Sequence, residues 1–335
     1  MRHFSTIGVL ALLSFLPFVG LAQAPARTAT ATKAWTPPKT PDGQPDLQGY
    51  WTNITITPLE RPANLANKEF FTRAEAEAYE KQVVDRNNAD RRDGTPAQDV
   101  SRAYNDFWWD RGTKVVKTLR TSLIVDPPDG RVPAMVAGAT QRLAAQARTR
   151  VGRATDGPEF RPLAERCLLW ATAGPPMMPS FYNNNYQIVQ NAGYVMILVE
   201  MIHDVRIIPI DNRPHLPGEV RQWLGNAVGH WDGNTLVVET TNFTDKTSFR
   251  STSKDMKLTE RFTRTDADTL MYEFTVDDPL TYVRPWTAQI PMSKTEGPIW
   301  EYACHEGNYA MTNVLSGARA EEKAAAEAAA KGSRK

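Results

Sequence analysis

The sequence predicts a mainly β protein, in which an antiparallel meander closes into a lipocalin-like barrel with an N-terminal strap and a few short helices. Between residues 186 and 304, short segments of alternating apolar and polar residues recur, which is the pattern of half-buried strands. Turn-forming residues separate these segments, and no long helical pattern interrupts them, which disfavours the parallel α/β folds. A run of about eight such strands is typical of barrels that enclose one small ligand.

The eight predicted strands share a period of two in side-chain polarity. They cover residues 186–190, 194–201, 205–210, 236–241, 258–264, 270–276, 282–290 and 299–304. Hairpin turns are predicted at 191–193, 232–234 and 266–268, because Asn, Asp and Gly tolerate the backbone angles that such turns require.

The N-terminal half contains weaker helical signals. Thr72 and Glu75 form a capping box that predicts a helix ending before Asn87, and residues 139–151 predict a short amphipathic helix. Residues 121–125 run into a Pro- and Gly-containing turn, which predicts a hairpin, and a dense aromatic cluster occupies 104–109. The predicted organisation is a signal peptide (1–24), a strap with short helices and a hairpin (25–180), the barrel (181–315) and an exposed helical tail (316–335).

The N-terminus has the pattern of a cleaved secretory signal. Arg2 precedes an apolar run over 7–21, and small residues surround Gln23 at the expected cleavage position. An uncleaved membrane anchor is the alternative, but Ser14 and Pro17 interrupt the run, which is shorter than the ~20 residues that span a bilayer. The mature protein is therefore expected to be periplasmic or secreted, without a membrane span.

The chain has two cysteines, Cys167 and Cys304. In an oxidising compartment they are expected to form one disulfide, and the long loop between them implies a stabilisation of up to about 5 kcal/mol. A reactive thiol at either position is the alternative, but neither cysteine has the neighbouring cysteine of a redox motif.

Composition and motifs exclude several functional classes. Lys and Arg (39) nearly balance Asp and Glu (38), so the uniform positive field of a nucleic-acid-binding protein is absent. No glycine-rich phosphate-binding motif and no Gly-X-Ser-X-Gly motif occurs, and the histidines lack the spacing of a zinc site. We therefore expect neither a cofactor nor a metal, and the alternative is a metal site that the fold assembles from histidines distant in sequence.

Two glutamates fall on otherwise apolar strand faces. Glu200 ends the face that begins at Tyr194, and Glu260 lies between Leu258 and Phe262. Burial of a carboxyl group among apolar side chains, away from water, favours its neutral form and so raises its pKa. A carboxyl group of this kind is suited to general acid–base catalysis. The alternative is an internal ion pair with Arg261 or Arg284.

The candidate acid–base groups are Glu200, His203, Glu260 and His305. The candidate substrate-binding residues are Tyr186, Arg261, Arg284, Trp286 and Trp300, which combine aromatic surface with positive charge. These groups predict a cofactor-free lyase, isomerase or hydrolase that acts on a small apolar or aromatic molecule. The alternatives are a lipocalin-like carrier of a hydrophobic ligand and a structural protein of the envelope.

Four motifs carry a resemblance to a known family. They are TPDGQPDLQG at 40–49 followed by Trp51, RPHLP at 213–217, GHWDGNTLVV at 229–238 and YACHEGNY at 302–309. Together they resemble a family of secreted bacterial proteins over nearly the whole mature chain. The resemblance implies secretion but no particular reaction, and the likeness of the C-terminal half to lipocalins is one of pattern only.

Overall fold

The computed structural model describes residues 35–101, 105–246 and 249–332. The predicted signal peptide and the first ten residues of the strap lie outside these ranges. The strands are β1 (Gly49–Thr52), β2 (Ile124–Asp126), β3 (Asn185–Gln190), β4 (Tyr194–Val199), β5 (Val205–Pro209), β6 (Asn226–Asp232), β7 (Thr235–Thr241), β8 (Lys257–Asp266), β9 (Thr269–Asp277) and β10 (Trp286–Thr295).

All ten strands belong to one antiparallel sheet. Its order is β5-β4-β3-β1-β10-β9-β8-β7-β6, and β2 pairs with β10 beside this path. The strand β1 comes from the predicted strap and joins the two halves of the sheet, since Trp51 pairs with Tyr186 on one side and with Lys294 on the other. The prediction of a mainly β, antiparallel protein is therefore confirmed.

The sheet ends at β5 and β6. Nine strands that alternate in direction leave the first and the last parallel, so a ladder between β5 and β6 would be the only parallel pairing in the sheet. The two strands pack side by side, because a Cβ at Gly229 would lie 3.0 Å from Ile208 Cγ2. No ladder joins them in the described part of the chain, so barrel closure is not confirmed.

Large side chains fill the concave interior of the sheet. Fully buried aromatic residues from four different strands meet there, namely Trp51, Phe262, Tyr272, Phe274 and Trp286. Met177, from the loop that precedes β3, is also fully buried, and its backbone N–H donates to Tyr272 Oη at 3.0 Å. The interior is thus a packed core, where the strand pattern had predicted a hollow.

In the described ranges, four α-helices lie outside the sheet: α1 (Arg73–Asn87), α2 (Pro96–Ser101), α3 (Ala137–Arg150) and α4 (Ala310–Gly332). The capping box at Thr72 and Glu75 is present, and hydrogen bonds from Lys68 and Thr72 lower the pKa of Glu75 to about 2. The helix α4 has no buried residue, as its lack of a hydrophobic face predicted.

Several sequence predictions about strands are corrected. Residues 299–304 form no strand; instead Cys304 is bonded to Cys167 and the backbone N–H of Trp300 donates to Glu200. The predicted hairpin at 121–130 is absent, since β2 pairs with β10 instead of a following strand. The predicted strand at 282–290 begins only at Trp286, and β1 and β6 were not predicted.

The predicted disulfide is confirmed. Cys167 and Cys304 are bonded with their Cα atoms 5.7 Å apart. Because disulfides persist in oxidising compartments, the bond indicates an extracytoplasmic environment. Among the described residues, no helix has the length and apolar character needed to cross a membrane.

Candidate functional site

Glu260 forms an ion pair inside the sheet. Its carboxylate accepts hydrogen bonds from Arg206 Nη1 at 3.0 Å and Nη2 at 2.5 Å, and from Tyr272 Oη at 2.8 Å. Burial acts to lower the pKa of Arg206, but the charge and hydrogen bonds of Glu260 outweigh it and raise that pKa. Glu260 thus forms an internal ion pair, but its partner is Arg206, and the partners expected from the sequence, Arg261 and Arg284, are wrong.

Glu200 is also buried, and it has no cationic partner among the described residues. Its Oε2 accepts from Asn185 N at 3.2 Å and Asn185 Nδ2 at 2.9 Å, while Oε1 accepts from Trp300 N at 3.1 Å. Burial raises the pKa of Tyr186; the nearby charge of Arg206 acts to lower this pKa and that of Glu200 acts to raise it. The structure thus places the backbone of Trp300 and the buried Tyr186 near Glu200, whereas the Trp300 side chain, expected to bind substrate, is exposed.

The predicted histidines lie at the surface. His203 is exposed in the turn after β4, where both it and Ile202 have positive φ angles, of 62° and 65°. His305 is exposed beside the disulfide-bonded Cys304. Neither histidine lines a cleft described below, and neither do Glu200 and Glu260.

The remaining predicted binding residues lie apart from one another. Arg261 pairs with Asp232 at 2.9 Å and Arg284 pairs with Asp126 at 2.7 Å, and both ion pairs are exposed. Trp286 is fully buried, and its ring stacks on Phe249. These three residues therefore share no binding surface with Glu200 or Glu260.

A cleft outside the sheet is better suited to bind a ligand. This aromatic cleft has a volume of about 650 Å³ and lies between α1 and the loops that carry Trp109, Trp170 and Phe181. The three aromatic side chains are half-buried, and Phe181 makes edge contacts with Trp109 and Trp170 at centroid distances of 5.3 and 5.6 Å. They offer an apolar surface that remains accessible to a ligand.

The charged residues of the aromatic cleft are both positive. Arg86 projects from α1, and Arg111 lies 3.9 Å above the centroid of the Trp109 ring. Arg111 Nη1 donates to Asn87 O at 3.2 Å, and neither arginine forms an ion pair with any described residue. No described Asp or Glu lines this cleft, so its charge favours an anion.

Two hydroxyl groups in the aromatic cleft have no hydrogen-bond partner within the described protein. Thr172 Oγ1 and Ser180 Oγ are both buried and unpaired. Because neither oxygen is exposed to the cleft, a bound ligand does not reach them. The cleft therefore combines aromatic surface and positive charge.

A second, smaller cleft adjoins the aromatic cleft, and both are lined by Val83, Asn87, Trp109 and Arg111. This second cleft is also lined by Asp106 and Asp110, and burial raises the pKa of Asp110. The described lining of the aromatic cleft itself contains no carboxylate.

Only part of the aromatic cleft had a signal in the sequence. The aromatic cluster at 104–109 contains Trp109, but Trp170 and Phe181 are distant from it in sequence and show no common pattern. In the described part of the chain, no group of three His, Cys, Asp or Glu residues is placed to hold a metal ion.

The fold and the cleft define this chain as a disulfide-linked, mainly antiparallel β protein with an aromatic, positively charged surface cleft. No protein-family model, no curated protein and no solved structure matches it significantly. The family resemblance suggested by the four sequence motifs thus stays a prediction.

Proposed function

We propose that the protein is an extracytoplasmic binding protein for a small aromatic or apolar molecule that carries a negative charge. The observation that carries this proposal is the lining of the aromatic cleft: four half-buried aromatic side chains, of which Tyr79 is the fourth, and two arginines, with no carboxylate among the described lining residues. The aromatic rings would contact the apolar body of the ligand, and Arg86 and Arg111 would hold its anionic group. Secretion through the predicted signal peptide is part of this proposal.

This proposal retains the ligand class expected from the sequence but moves the site. A lipocalin-like carrier would hold its ligand inside a closed barrel, and here bulky side chains such as Trp51, Tyr272 and Trp286 fill the interior. Acid–base catalysis by Glu200 and Glu260 has less support than binding. The oxygens of both carboxylates already accept hydrogen bonds within the protein.

The test uses two fluorescent probes that differ in one anionic group. The first is 8-anilinonaphthalene-1-sulfonate, and the second is N-phenyl-1-naphthylamine, which has the same ring system without the sulfonate. Titration of the mature protein is expected to show saturable binding of both probes. The Arg111→Gln variant is expected to bind the sulfonate about three- to tenfold more weakly, which corresponds to loss of one partly screened charge pair. Its affinity for the neutral probe is expected to change less than twofold.

The matched control is Arg153→Gln. Arg153 also stacks on an aromatic ring, at 4.0 Å from the centroid of Phe160, but it lies outside the aromatic cleft. This variant is expected to bind both probes as the wild type does. Equal loss of sulfonate binding in both variants, or no saturable binding to the wild type, would refute the proposal.

A further inference from the structure

A third cleft shares Trp170 with the aromatic cleft. This apolar cleft has a volume of about 320 Å³. Most of its wall is aliphatic or aromatic, and Leu163, Leu169 and Leu224 belong to it. Such a cleft is suited to a flexible apolar chain, since most of its accessible wall is apolar.

The apolar cleft reaches the hydrophobic core. Phe243 and Met256 at its floor are each only 3% exposed and belong to the main core. Phe249 also lines the cleft and stacks on the buried Trp286, with the ring centroids 6.0 Å apart. A chain in this cleft would therefore be removed from water against a rigid apolar floor.

One charged side chain lines the described part of this cleft. It is Lys246, which is exposed and forms no ion pair with any described residue. Lys246 also borders a polar groove that contains Glu219, Asp245 and Lys254. A single ammonium group beside an apolar cleft favours a ligand with one anionic end and an apolar chain.

We propose that the apolar cleft is a second ligand site, which binds an alkyl carboxylate with its chain against Phe249 and Met256 and its head group on Lys246. The site is separate from the aromatic cleft, and the inference does not depend on the function proposed for that cleft. The apolar cleft includes Phe249, which stacks on Trp286. Trp286 is a residue that the sequence led us to expect in the binding of an apolar molecule.

Isothermal titration calorimetry of the mature protein with hexanoate, octanoate and decanoate tests this proposal. Each two-carbon extension is expected to strengthen binding by roughly tenfold until the chain fills the cleft, as burial of two methylenes implies. The Lys246→Gln variant is expected to weaken octanoate binding about three- to tenfold and to leave binding of 1-octanol unchanged.

Lys254→Gln is the matched control, because Lys254 borders the polar groove but not the apolar cleft. It is expected to bind octanoate as the wild type does. In Leu163→Trp, the larger side chain is expected to block octanoate and octanol while binding of 8-anilinonaphthalene-1-sulfonate persists.

Three results would overturn the proposal. The first is no saturable octanoate binding to the wild type, and the second is equal weakening by Lys246→Gln and Lys254→Gln. The third is loss of octanoate binding in Arg111→Gln, which would assign the carboxylate to the aromatic cleft. Failure of the aromatic cleft to bind its probes would leave the octanoate result intact, so the two proposals fail separately.

Discussion

The buried Arg206–Glu260 ion pair allows the sharpest prediction about stability. Both side chains are almost fully inaccessible, with exposures of 4% and 0%, and two hydrogen bonds join them. Replacing Arg206 by Met keeps much of the side-chain volume but leaves the Glu260 carboxylate buried without its cation. Breaking a buried pair in this way costs about 3–5 kcal/mol.

Urea unfolding followed by tryptophan fluorescence measures this cost. With a slope of about 2 kcal/mol per molar urea, the midpoint of Arg206→Met is expected to fall by roughly 2 M. In the double variant Arg206→Met/Glu260→Gln, most of this loss is expected to be recovered. The amide carries no charge, and its oxygen still accepts from Tyr272 Oη.

Arg261→Met is the control for this experiment. Arg261 neighbours Glu260 on β8, but it makes an exposed ion pair with Asp232, so its replacement is expected to cost less than about 1 kcal/mol. A cost for Arg206→Met as small as that for Arg261→Met, or a double variant less stable than Arg206→Met, would contradict a buried charge that depends on its partner.

Three further predictions concern other parts of the fold. Replacing Cys167 and Cys304 by Ser is expected to lower the free energy of unfolding by up to about 5 kcal/mol, measured by denaturant unfolding without reductant. Gly225→Ala is expected to destabilise the protein, because Gly225 has φ of 71° and a Cβ there would lie 2.6 Å from Thr241 O; a thermal melt checks this. Burial raises the pKa of the Asp204 carboxyl in the folded protein above its ordinary value near 3.8. The free energy of unfolding therefore declines as the pH rises above that ordinary value, because the buried carboxyl then has to ionise. Asp204→Asn is therefore expected to gain stability relative to the wild type at pH 7 but not at pH 3, as unfolding titrations at the two pH values would show.

Local signals in the sequence located most of the secondary structure. The capping box at Thr72 and Glu75 satisfies its own backbone groups, so it determines the start of α1 independently of the fold. The turns at 191–193, 232–234 and 266–268 connect paired strands, because their residues accept the required backbone angles. The strand β1 was missed because four residues carry too little periodicity to be recognised.

The candidate site was less predictable than the strands. The alternation along β8 correctly placed Glu260 on an inward face, but it gave no information about the opposing side chain. Arg206 lies on β5, which is far from β8 along the strand order, and the curvature of the sheet brings the two together. The aromatic cleft likewise depends on loops that are distant in sequence.

The sequence by itself determined the β-rich class of the protein, its hairpin turns, its exposed C-terminal helix and its disulfide. These properties depend on local backbone preferences and on the chemistry of two cysteines. Only the tertiary structure decided that the concave interior is filled, that Glu260 pairs with Arg206 and that Trp109, Trp170 and Phe181 share a cleft. Side-chain packing between distant segments decides such features, and no short-range pattern in the chain encodes which segments will meet.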